Sequence, residues 1–426
     1  MRILVLGGGG REHAIVTALS RSPHAPELFC SPGNGGTASL AINVEINDED
    51  PAFVAEWVER NGIDFVVVGP EAPLVSGVAD MLAFDGVPVF GPRAAGAQIE
   101  GSKAFAKDLM ERHGIPTGSY RLIYSNEEAE EYLREVGAPV VVKADGLAAG
   151  KGVTVAETVA DALSAVGQCL DGAFGPAGET VVIEEFLEGP ECSLLAFTDG
   201  ETVLPMIPAQ DHKRAYDDDE GPNTGGMGVY APVPVVDDAA YAEMVSLLER
   251  TVAALKADGI VYRGVLYGGF ILTAEGPKVL EFNARFGDPE TQVLLPLLKT
   301  DLLDVMRAVA EGRLSEIELE WHDGVALSVV LAAGGYPIAY DTGAVINGLE
   351  EAAKIEGVTV YHAGTALDPA GRLVTAGGRV LNVTAVAPSF SEARDRAYRA
   401  VDIIRFANMH YRTDIGLKAL RARGEA

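Results

Sequence analysis

Three polar side chains alternate along one short, otherwise apolar segment, KVLEFNARFGDPETQ. If this segment is a strand, Glu281, Asn283 and Arg285 face the same side, because side chains alternate along a strand. Carboxylate and amide oxygens suit Mg²⁺ or Mn²⁺ as ligands, and an adjacent guanidinium can stabilise a transferring phosphoryl group. The alternative is an internal set of ion pairs. We predict a metal and phosphoryl-transfer site, since burying such a triplet without a function is costly.

A glycine-rich segment, KADGLAAGKG, begins at Lys143. It is not a Walker A loop, which needs four residues between its glycines and then Lys-Ser/Thr. Here Gly146 and Gly150 enclose three residues, and Gly152 follows Lys151. A strand lysine followed by a flexible loop with a second lysine suits a lid that folds over a triphosphate and neutralises it. The alternative is a mobile surface loop with incidental lysines.

The segment VVIEEFLEGPE follows about thirty residues later. Glu184 and Glu185 end a predicted strand, and the following Phe186 and Leu187 are typical of an interdomain hinge. The backbone of such a hinge can pair with an adenine edge, and Glu191 can accept both ribose hydroxyls. The alternative, an edge strand with solvated glutamates, is the better interpretation of this segment on its own.

A second glycine-rich loop, GGGGREH, follows the first predicted strand. The G-x-G-x-x-G fingerprint would place its third glycine at Glu12 or His13, depending on whether it starts at Gly7 or Gly8. The acidic residue expected after the second strand is also missing, because that strand runs into the loop 31–34. A nicotinamide site is therefore not favoured. A glycine turn at a helix N-terminus can still bind an anion, or be a plain strand-to-helix turn.

The elements that must position these groups fall into three predicted units. Short apolar strands alternate with helices over the first hundred residues, which predicts a doubly wound parallel sheet with ligand loops at its carboxyl edge. Strands that read as antiparallel follow in the segment 192–292. A chain of 426 residues should form about two to four domains. We predict boundaries at 1–102, 103–323 and 324–426, with a lid at about 120–192.

The charge balance and the cysteine content of the chain exclude some classes of function. The chain has 62 acidic against 33 basic residues, a formal net charge of −29. Such an acidic surface repels nucleic acids and anionic membranes, so neither is an expected partner. Since the acidity is spread along the chain, it suggests a protein kept soluble in a salty cytoplasm. Three widely spaced cysteines fit a reducing cytosol, and no signal peptide or membrane span is predicted. We expect a cytoplasmic protein.

An ordered set of motifs extends from Gly9 to Thr365. The motifs are GGREHA, GPEAPL, EGSKAFAK, KADGLAAGKGV, QDHKR, GPNTGGMG, RFGDPETQ, AAGGYP and HAGT. Together they resemble the glycinamide ribonucleotide synthetases of the ATP-grasp superfamily, over essentially the whole chain. GPNTGGMG and RFGDPE discriminate best, because ATP-grasp enzymes in general do not carry them.

The resemblance implies an α/β and α+β multidomain protein. It would have an N-terminal Rossmann-like domain, a central ATP-grasp fold with a mobile lid, and a small C-terminal α/β domain. It also implies ligation of glycine to 5-phosphoribosylamine through glycyl phosphate, with ATP and Mg²⁺, in de novo purine biosynthesis. Because acyl phosphates hydrolyse readily, a closing lid should exclude water. A monofunctional protein is expected, since little of the chain remains after DIGLKAL. We also expect a monomer.

The resemblance also assigns residues. For ATP it implies Lys103, Lys143, Lys151, Glu184, Glu185, Phe186, Leu187 and Glu191. For catalysis it implies Arg285, Lys151 and Asp211, and for the metal Glu281 and Asn283. For glycine and the ribosyl phosphate it implies Gly9, Gly10, Arg11, Asn34, Pro70, Glu71, Lys213, Arg214, Gly225, Gly226, Asp288 and Glu290.

Two rival functions make different predictions. A carboxylase or formate-using ligase on the same fold would act on bicarbonate or formate, but it leaves RFGDPE and GPNTGGMG unexplained. A non-catalytic nucleotide sensor would have lost lysine, metal or arginine positions, and all of these are intact. Two other features have two interpretations each. His212 is either catalytic or holds a loop in place, and the acidic run YDDDEGP is either a metal site or, as we favour, a solvated turn.

Overall fold

The computed structural model describes residues 1–147 and 152–425. The first hundred residues form a five-stranded sheet in the order β3-β2-β1-β4-β5. Every strand pair in it is parallel, which confirms the predicted doubly wound sheet. The elements are β1 (Arg2–Gly7), α1 (Gly10–Ser20), β2 (Glu27–Pro32), β3 (Ile42–Asn43), α2 (Pro51–Asn61), β4 (Phe65–Val68), α3 (Glu71–Ser76), α4 (Val78–Phe84), β5 (Val89–Phe90) and α5 (Ala94–Gly101).

Local signals in the sequence set the ends of these helices. Asp50 caps α2 by accepting hydrogen bonds from two backbone N–H groups, and Pro51 occupies the first helical position, where its missing N–H costs nothing. Gly62 ends the helix with a φ of 60°, a conformation that glycine adopts without steric cost. The central strands β1 and β4 are almost fully buried, as expected for a parallel sheet covered on both faces.

A small unit with its own core begins with α6 (Lys103–Arg112). Its antiparallel sheet has the order β6-β9-β7-β8, and α7 and α8 contribute to its apolar core. This unit includes the strand ends that carry Lys143 and Glu184. Its elements are α6 (Lys103–Arg112), β6 (Tyr120–Ile123), α7 (Asn126–Val136), β7 (Val140–Ala144), β8 (Val153–Ala156), α8 (Val159–Gln168) and β9 (Val181–Glu185).

The next segment builds a second antiparallel sheet in the order β11-β10-β16-β17, which confirms the antiparallel prediction. Strand β17 ends at Asn283 and carries both predicted metal ligands, Glu281 and Asn283. The elements are β10 (Glu191–Thr198), β11 (Val203–Pro205), β12 (Gln210–Asp211), β13 (Arg214–Tyr216), β14 (Glu220–Asn223), β15 (Gly228–Ala231), α9 (Asp238–Ala257), β16 (Gly264–Thr273), β17 (Gly276–Asn283), α10 (Thr291–Leu297) and α11 (Leu302–Glu311).

The last hundred residues complete a third large sheet, in the order β12-β15-β18-β22-β19. Two of its strands, β12 and β15, come before the predicted domain boundary at 323–324 in the sequence. The sheet therefore crosses that boundary, and the division into domains there stays a prediction. None of the described helices combines the length and the hydropathy that crossing a lipid bilayer requires. The remaining elements are β18 (Val325–Ala332), α12 (Leu349–Ala352), β19 (Val358–His362), β20 (Thr365–Leu367), β21 (Leu373–Thr375), β22 (Arg379–Ala387), α13 (Phe390–Val401) and α14 (Leu417–Arg423).

Candidate active site

A cavity of about 490 Å³ opens where these units meet. Its wall brings together residues that lie far apart in the sequence, from Arg11 to Arg379. Many of the predicted site residues line it, which places them within reach of one bound ligand set. They are Arg11, Pro70, Glu71, Lys103, Lys143, Glu184, Asp211, Lys213, Gly225, Glu281, Asn283, Arg285, Asp288 and Glu290.

Arg285 lies between two carboxylates on the cavity wall. Its Nη2 is 2.7 Å from Oε1 of Glu100, and its Nε is 3.2 Å from Oε2 of Glu71. The other oxygen of Glu100 accepts a hydrogen bond from the Ala284 backbone N–H at 2.6 Å. Burial raises the pKa of Glu100 to about 7, against the opposing effect of Arg285. The guanidinium is therefore fixed in place while still facing the cavity.

Two buried lysines flank the carboxylate of Glu184. Lys107 Nζ is 3.0 Å from one oxygen, and Lys143 Nζ is 2.9 Å from the other. Burial lowers the pKa of Lys107 to about 8, although Glu184 opposes this shift. A third lysine, Lys103, donates to the carbonyl of Gly146 at 3.0 Å. Lys103 and Lys107 are four residues apart on α6 and hence share a face, so this spacing was a signal for Lys107 that sequence reasoning missed.

The predicted metal ligands, Glu281 and Asn283, both line the cavity. Lys213 lies close by, with its Nζ 3.6 Å from a Glu281 oxygen and 3.3 Å from a Glu191 oxygen. Lys213 lowers the pKa of Glu281, against the effect of burial, so this carboxylate is ionised at neutral pH. An ionised carboxylate and a side-chain amide are hard oxygen donors, and this donor set fits Mg²⁺ or Mn²⁺.

A further polar cluster includes three residues of the cavity wall, Asp211, Tyr267 and Glu290. Glu290 is 3% exposed, and its Oε1 accepts hydrogen bonds from Tyr267 at 3.0 Å and Ser193 at 3.3 Å. Burial raises the pKa of Asp211 to about 7, with Lys213 opposing the shift and Glu290 adding to it. Sequence reasoning did not identify Tyr267 or Ser193, since neither belongs to a recognised motif.

Arg379, from the start of β22, joins two loops at the cavity wall. Its Nη1 donates to the carbonyl of Gly225 at 2.6 Å and to that of Asp288 at 2.7 Å. Asp288 also accepts a hydrogen bond from the backbone N–H of Arg11 at 3.3 Å, and Tyr336 accepts one from the N–H of Gly225 at 3.1 Å. Arg379 and Tyr336 were missed, because only the tertiary fold brings them to these loops.

Comparison with known proteins agrees with this geometry. Models of the phosphoribosylglycinamide synthetase N domain, ATP-grasp (A) domain and C domain match residues 1–100, 101–291 and 326–418. The phosphoribosylamine–glycine ligase of Brucella melitensis is 50% identical over 99% of this chain and 98% of its own length. The chain belongs to the phosphoribosylglycinamide synthetase family.

Solved structures support the same membership. The crystal structure of phosphoribosylamine–glycine ligase from Thermotoga maritima has a TM-score of 0.85 and 33% identity, and the match covers 97% of this chain and all of that one (100%). A biotin carboxylase domain from Hydrogenobacter thermophilus has a TM-score of 0.72 at 17% identity, covering 96% of this chain and 91% of that chain. The second likeness shows the fold alone.

Some of the predicted site residues lie outside the cavity wall. The amide of Asn34 is occupied by the protein itself: it donates to the carbonyls of Gly8 and His362 and accepts from the Gly36 N–H. Asn34 therefore joins loops of the N-terminal and C-terminal units. Lys151 lies outside the described residues. The others that do not line the cavity are Gly9, Gly10, Glu185, Phe186, Leu187, Glu191, Arg214 and Gly226.

The structural interpretations of His212 and of the acidic run YDDDEGP have different outcomes. His212 is buried, with Nδ1 3.3 Å from the carbonyl oxygen of Gly228, and burial lowers its pKa to about 3. This neutral histidine packs in a loop, as expected. The acidic turn, in contrast, is not simply solvated. Asp219 is 3.0 Å from the buried Arg412 and 2.6 Å from Lys418, because the turn packs against the C-terminal segment.

Proposed function

We propose that this chain ligates glycine to 5-phosphoribosylamine at the expense of ATP, by way of glycyl phosphate. A relative that is 50% identical to this chain is named phosphoribosylamine–glycine ligase. The observation that carries the proposal is that Arg285, Glu281 and Asn283 open onto the same cavity as Lys103 and Lys143. Phosphoryl transfer to a carboxylate requires metal ligands, a guanidinium and several ammonium groups that face one cavity.

ATP would occupy the end of the cavity near α6. Apolar side chains form part of that wall and suit an adenine ring; they are Met110, Leu147, Val153, Leu280 and Phe282. Lys103, Lys143 and Lys107 are close enough to offset the triphosphate charge. Glu184 would order two of these lysines rather than contact the adenosine, since its oxygens already pair with them.

Glu281 and Asn283 would hold Mg²⁺ (or Mn²⁺), which when bound offsets negative charge on the phosphate oxygens. Arg285 would bind the transferring phosphoryl group while Glu71 and Glu100 keep its side chain in position. A glycine carboxylate oxygen attacks the γ-phosphorus, and the bond to the β–γ bridging oxygen breaks to release ADP. The amine nitrogen of phosphoribosylamine then attacks the acyl carbon, and inorganic phosphate leaves.

The attacking amine must lose a proton in the second step. Asp211 lines the cavity, and burial raises the pKa of its carboxyl group to about 7. A group with a pKa near the working pH is an effective proton acceptor. We therefore assign Asp211 to this proton transfer.

The test is ADP release by the purified protein with Mg-ATP, in high and low salt. Glycine and freshly made phosphoribosylamine are supplied together and singly. ADP release that requires both substrates, with formation of glycinamide ribonucleotide, is the expected result. ADP release with bicarbonate or formate would instead refute the named reaction and indicate a carboxylase-type ligase. ATP binding without turnover in any salt would indicate a sensor.

A further inference from the structure

The hairpin of strands β13 and β14, residues 214–223, supports one wall of the cavity. Its strands pair Arg214 with Asn223, and Asn223 lines the cavity together with the flanking Lys213 and Thr224. The carbonyl of Lys213 accepts hydrogen bonds from the N–H and the hydroxyl of Thr224, at 2.7 and 2.8 Å. The position of the hairpin therefore determines where these three side chains lie on the cavity wall.

The turn at the tip of this hairpin has an unfavourable backbone conformation. Asp218 and Asp219 are consecutive, and each has a φ of 57°, in the left-handed region that residues other than glycine seldom adopt. Both residues are exposed, so burial of their own side chains does not impose this conformation. Such a backbone persists only where neighbouring groups hold it, and those groups come from the last part of the chain.

Arg412 holds both the turn and the strand that leads into it. Its Nη1 donates to the carbonyl of Arg214 at 3.1 Å and is 3.0 Å from Oδ1 of Asp219. Its Nε and Nη2 bind the two oxygens of Asp414, at 2.8 and 2.6 Å. The side chain is 0% exposed and lies outside the cavity wall. Because a buried guanidinium is costly without its partners, these contacts fix the hairpin relative to Arg412.

The residues beside Arg412 extend this contact and anchor it. The N–H of Thr413 donates to Oδ1 of Asp217 at 2.7 Å, and its hydroxyl donates to Oδ2. Nε2 of His410 is 2.8 Å from the carbonyl oxygen of Ala215. The backbones of His410 and Ala332 exchange two hydrogen bonds, at 2.7 and 2.8 Å. Since Ala332 ends β18, the hairpin is tied to the sheet of the C-terminal unit.

Given the proposed function, on which this inference rests, we propose that Arg412 is a positioning residue for glycine and 5-phosphoribosylamine. It acts through the hairpin 214–223, which carries the side of the cavity away from α6. The end assigned to ATP is built from other elements, including Lys103 and Met110 of α6 and Val153 of β8. Groups that contact substrates need such supporting contacts to keep a productive geometry. Loss of Arg412 should therefore affect the two smaller substrates and spare ATP.

The test compares Arg412→Met with the unaltered chain. The kcat/KM for glycine and for 5-phosphoribosylamine, measured by ADP release, should each fall by about 10-fold or more, because small displacements of positioning groups slow a reaction strongly. The Kd for Mg-ATP, measured by calorimetry without the other substrates, should change by less than about 3-fold. Hydrogen–deuterium exchange should become faster in the backbone amides of 214–223 and stay unchanged in β22.

Two further variants accompany this measurement. Arg396→Met is the matched control, because Arg396 binds Val386 and Glu392 within the C-terminal unit; it should leave both kcat/KM values within about 3-fold. Thr413→Val removes only the hydroxyl that reaches Asp217. It should lower the same two kcat/KM values by about 3-fold, and it decides by the same criteria if thermal unfolding shows that Arg412→Met does not fold.

Two results would overturn the inference alone. One is a folded Arg412→Met whose kcat/KM values for glycine and 5-phosphoribosylamine are unchanged, or whose affinity for Mg-ATP falls equally. The other is unchanged hydrogen exchange in 214–223, a measurement that needs no turnover. Absence of ADP release by the unaltered chain with glycine and 5-phosphoribosylamine would instead refute the proposed function, and the inference with it.

Discussion

Arg285→Ala removes a guanidinium that lies between the carboxylates of Glu71 and Glu100. Although burial raises the pKa of Glu71, Arg285 and Arg11 lower it from 4.5 to about 2. That shift corresponds to about 3 kcal/mol of interaction, shared between the two arginines. Removing one partner of a buried ion pair costs about 3–5 kcal/mol. We therefore expect the free energy of unfolding to fall by about 3 kcal/mol.

Catalysis should suffer separately from stability. If Arg285 stabilises the transferring phosphoryl group, its loss should lower kcat by about 10²–10³-fold. A second change distinguishes the two effects. In the double variant Arg285→Ala/Glu71→Gln, the carboxylate whose pKa Arg285 lowers becomes a neutral amide, so about 1–2 kcal/mol of stability should return. The double variant should recover no activity, because the neutral amide cannot replace the guanidinium.

Urea unfolding followed by circular dichroism gives the stabilities, and ADP release at saturating substrates gives kcat. Arg307→Ala is the control, since this arginine belongs to a partly exposed pair with Glu311 and should change stability by less than about 1 kcal/mol. Recovery of turnover in the double variant would refute a catalytic role for Arg285. If Arg285→Ala alone is as stable as the unaltered chain, the loss of stability expected from its buried ion pairs is refuted.

Three further predictions concern the metal, the acid response and the lysines. Glu281→Gln should raise the Mg²⁺ concentration for half-maximal ADP release by about 10-fold or more, because the carboxylate is the charged ligand of the pair with Asn283; a Mg²⁺ titration checks this. The buried His212 has its pKa lowered from 6.5 to about 3, so the unfolded chain binds a proton below pH 6.5 that the native chain does not. The stability of the unaltered chain relative to His212→Phe should therefore fall by about 2 kcal/mol between pH 7 and pH 5 in urea unfolding. Lys107→Met should lower the free energy of unfolding by about 3 kcal/mol, because Glu184 loses one of its two buried partners; Lys256→Met, at an exposed pair, is the control and should have little effect.

The sequence predicted the parts of the site that depend on local order. Alternation along one strand was enough to place Glu281 and Asn283 on the same side, and both line the cavity. The parallel N-terminal sheet followed from alternating strands and helices, because a strand-helix-strand unit pairs its strands in parallel. Such patterns repeat over a few residues, so they can be read without knowledge of the tertiary fold.

Groups that meet only through tertiary structure could not be predicted in this way. Glu100 and Arg285 are separated by 185 positions, and nothing in either local segment indicates that they form an ion pair. The same holds for β12 and β15, which join a sheet completed by the last hundred residues. Asn34 shows a different difficulty. An asparagine in a loop can bind a substrate or hold the backbone, and only the structure reveals that its amide is already used by backbone groups.

The site depends on contacts between all three parts of the chain. Arg379, from the last part, fixes the carbonyls of Gly225 and Asp288, and Asp288 in turn accepts a hydrogen bond from the Arg11 N–H of the first helix. These polar atoms would be exposed and unpaired in separated units, so the loops would lose their defined positions. An acyl phosphate survives only where water is excluded and the attacking amine is held near it. A cavity whose wall is shared by three units meets both needs, because substrates are enclosed when the units are packed together.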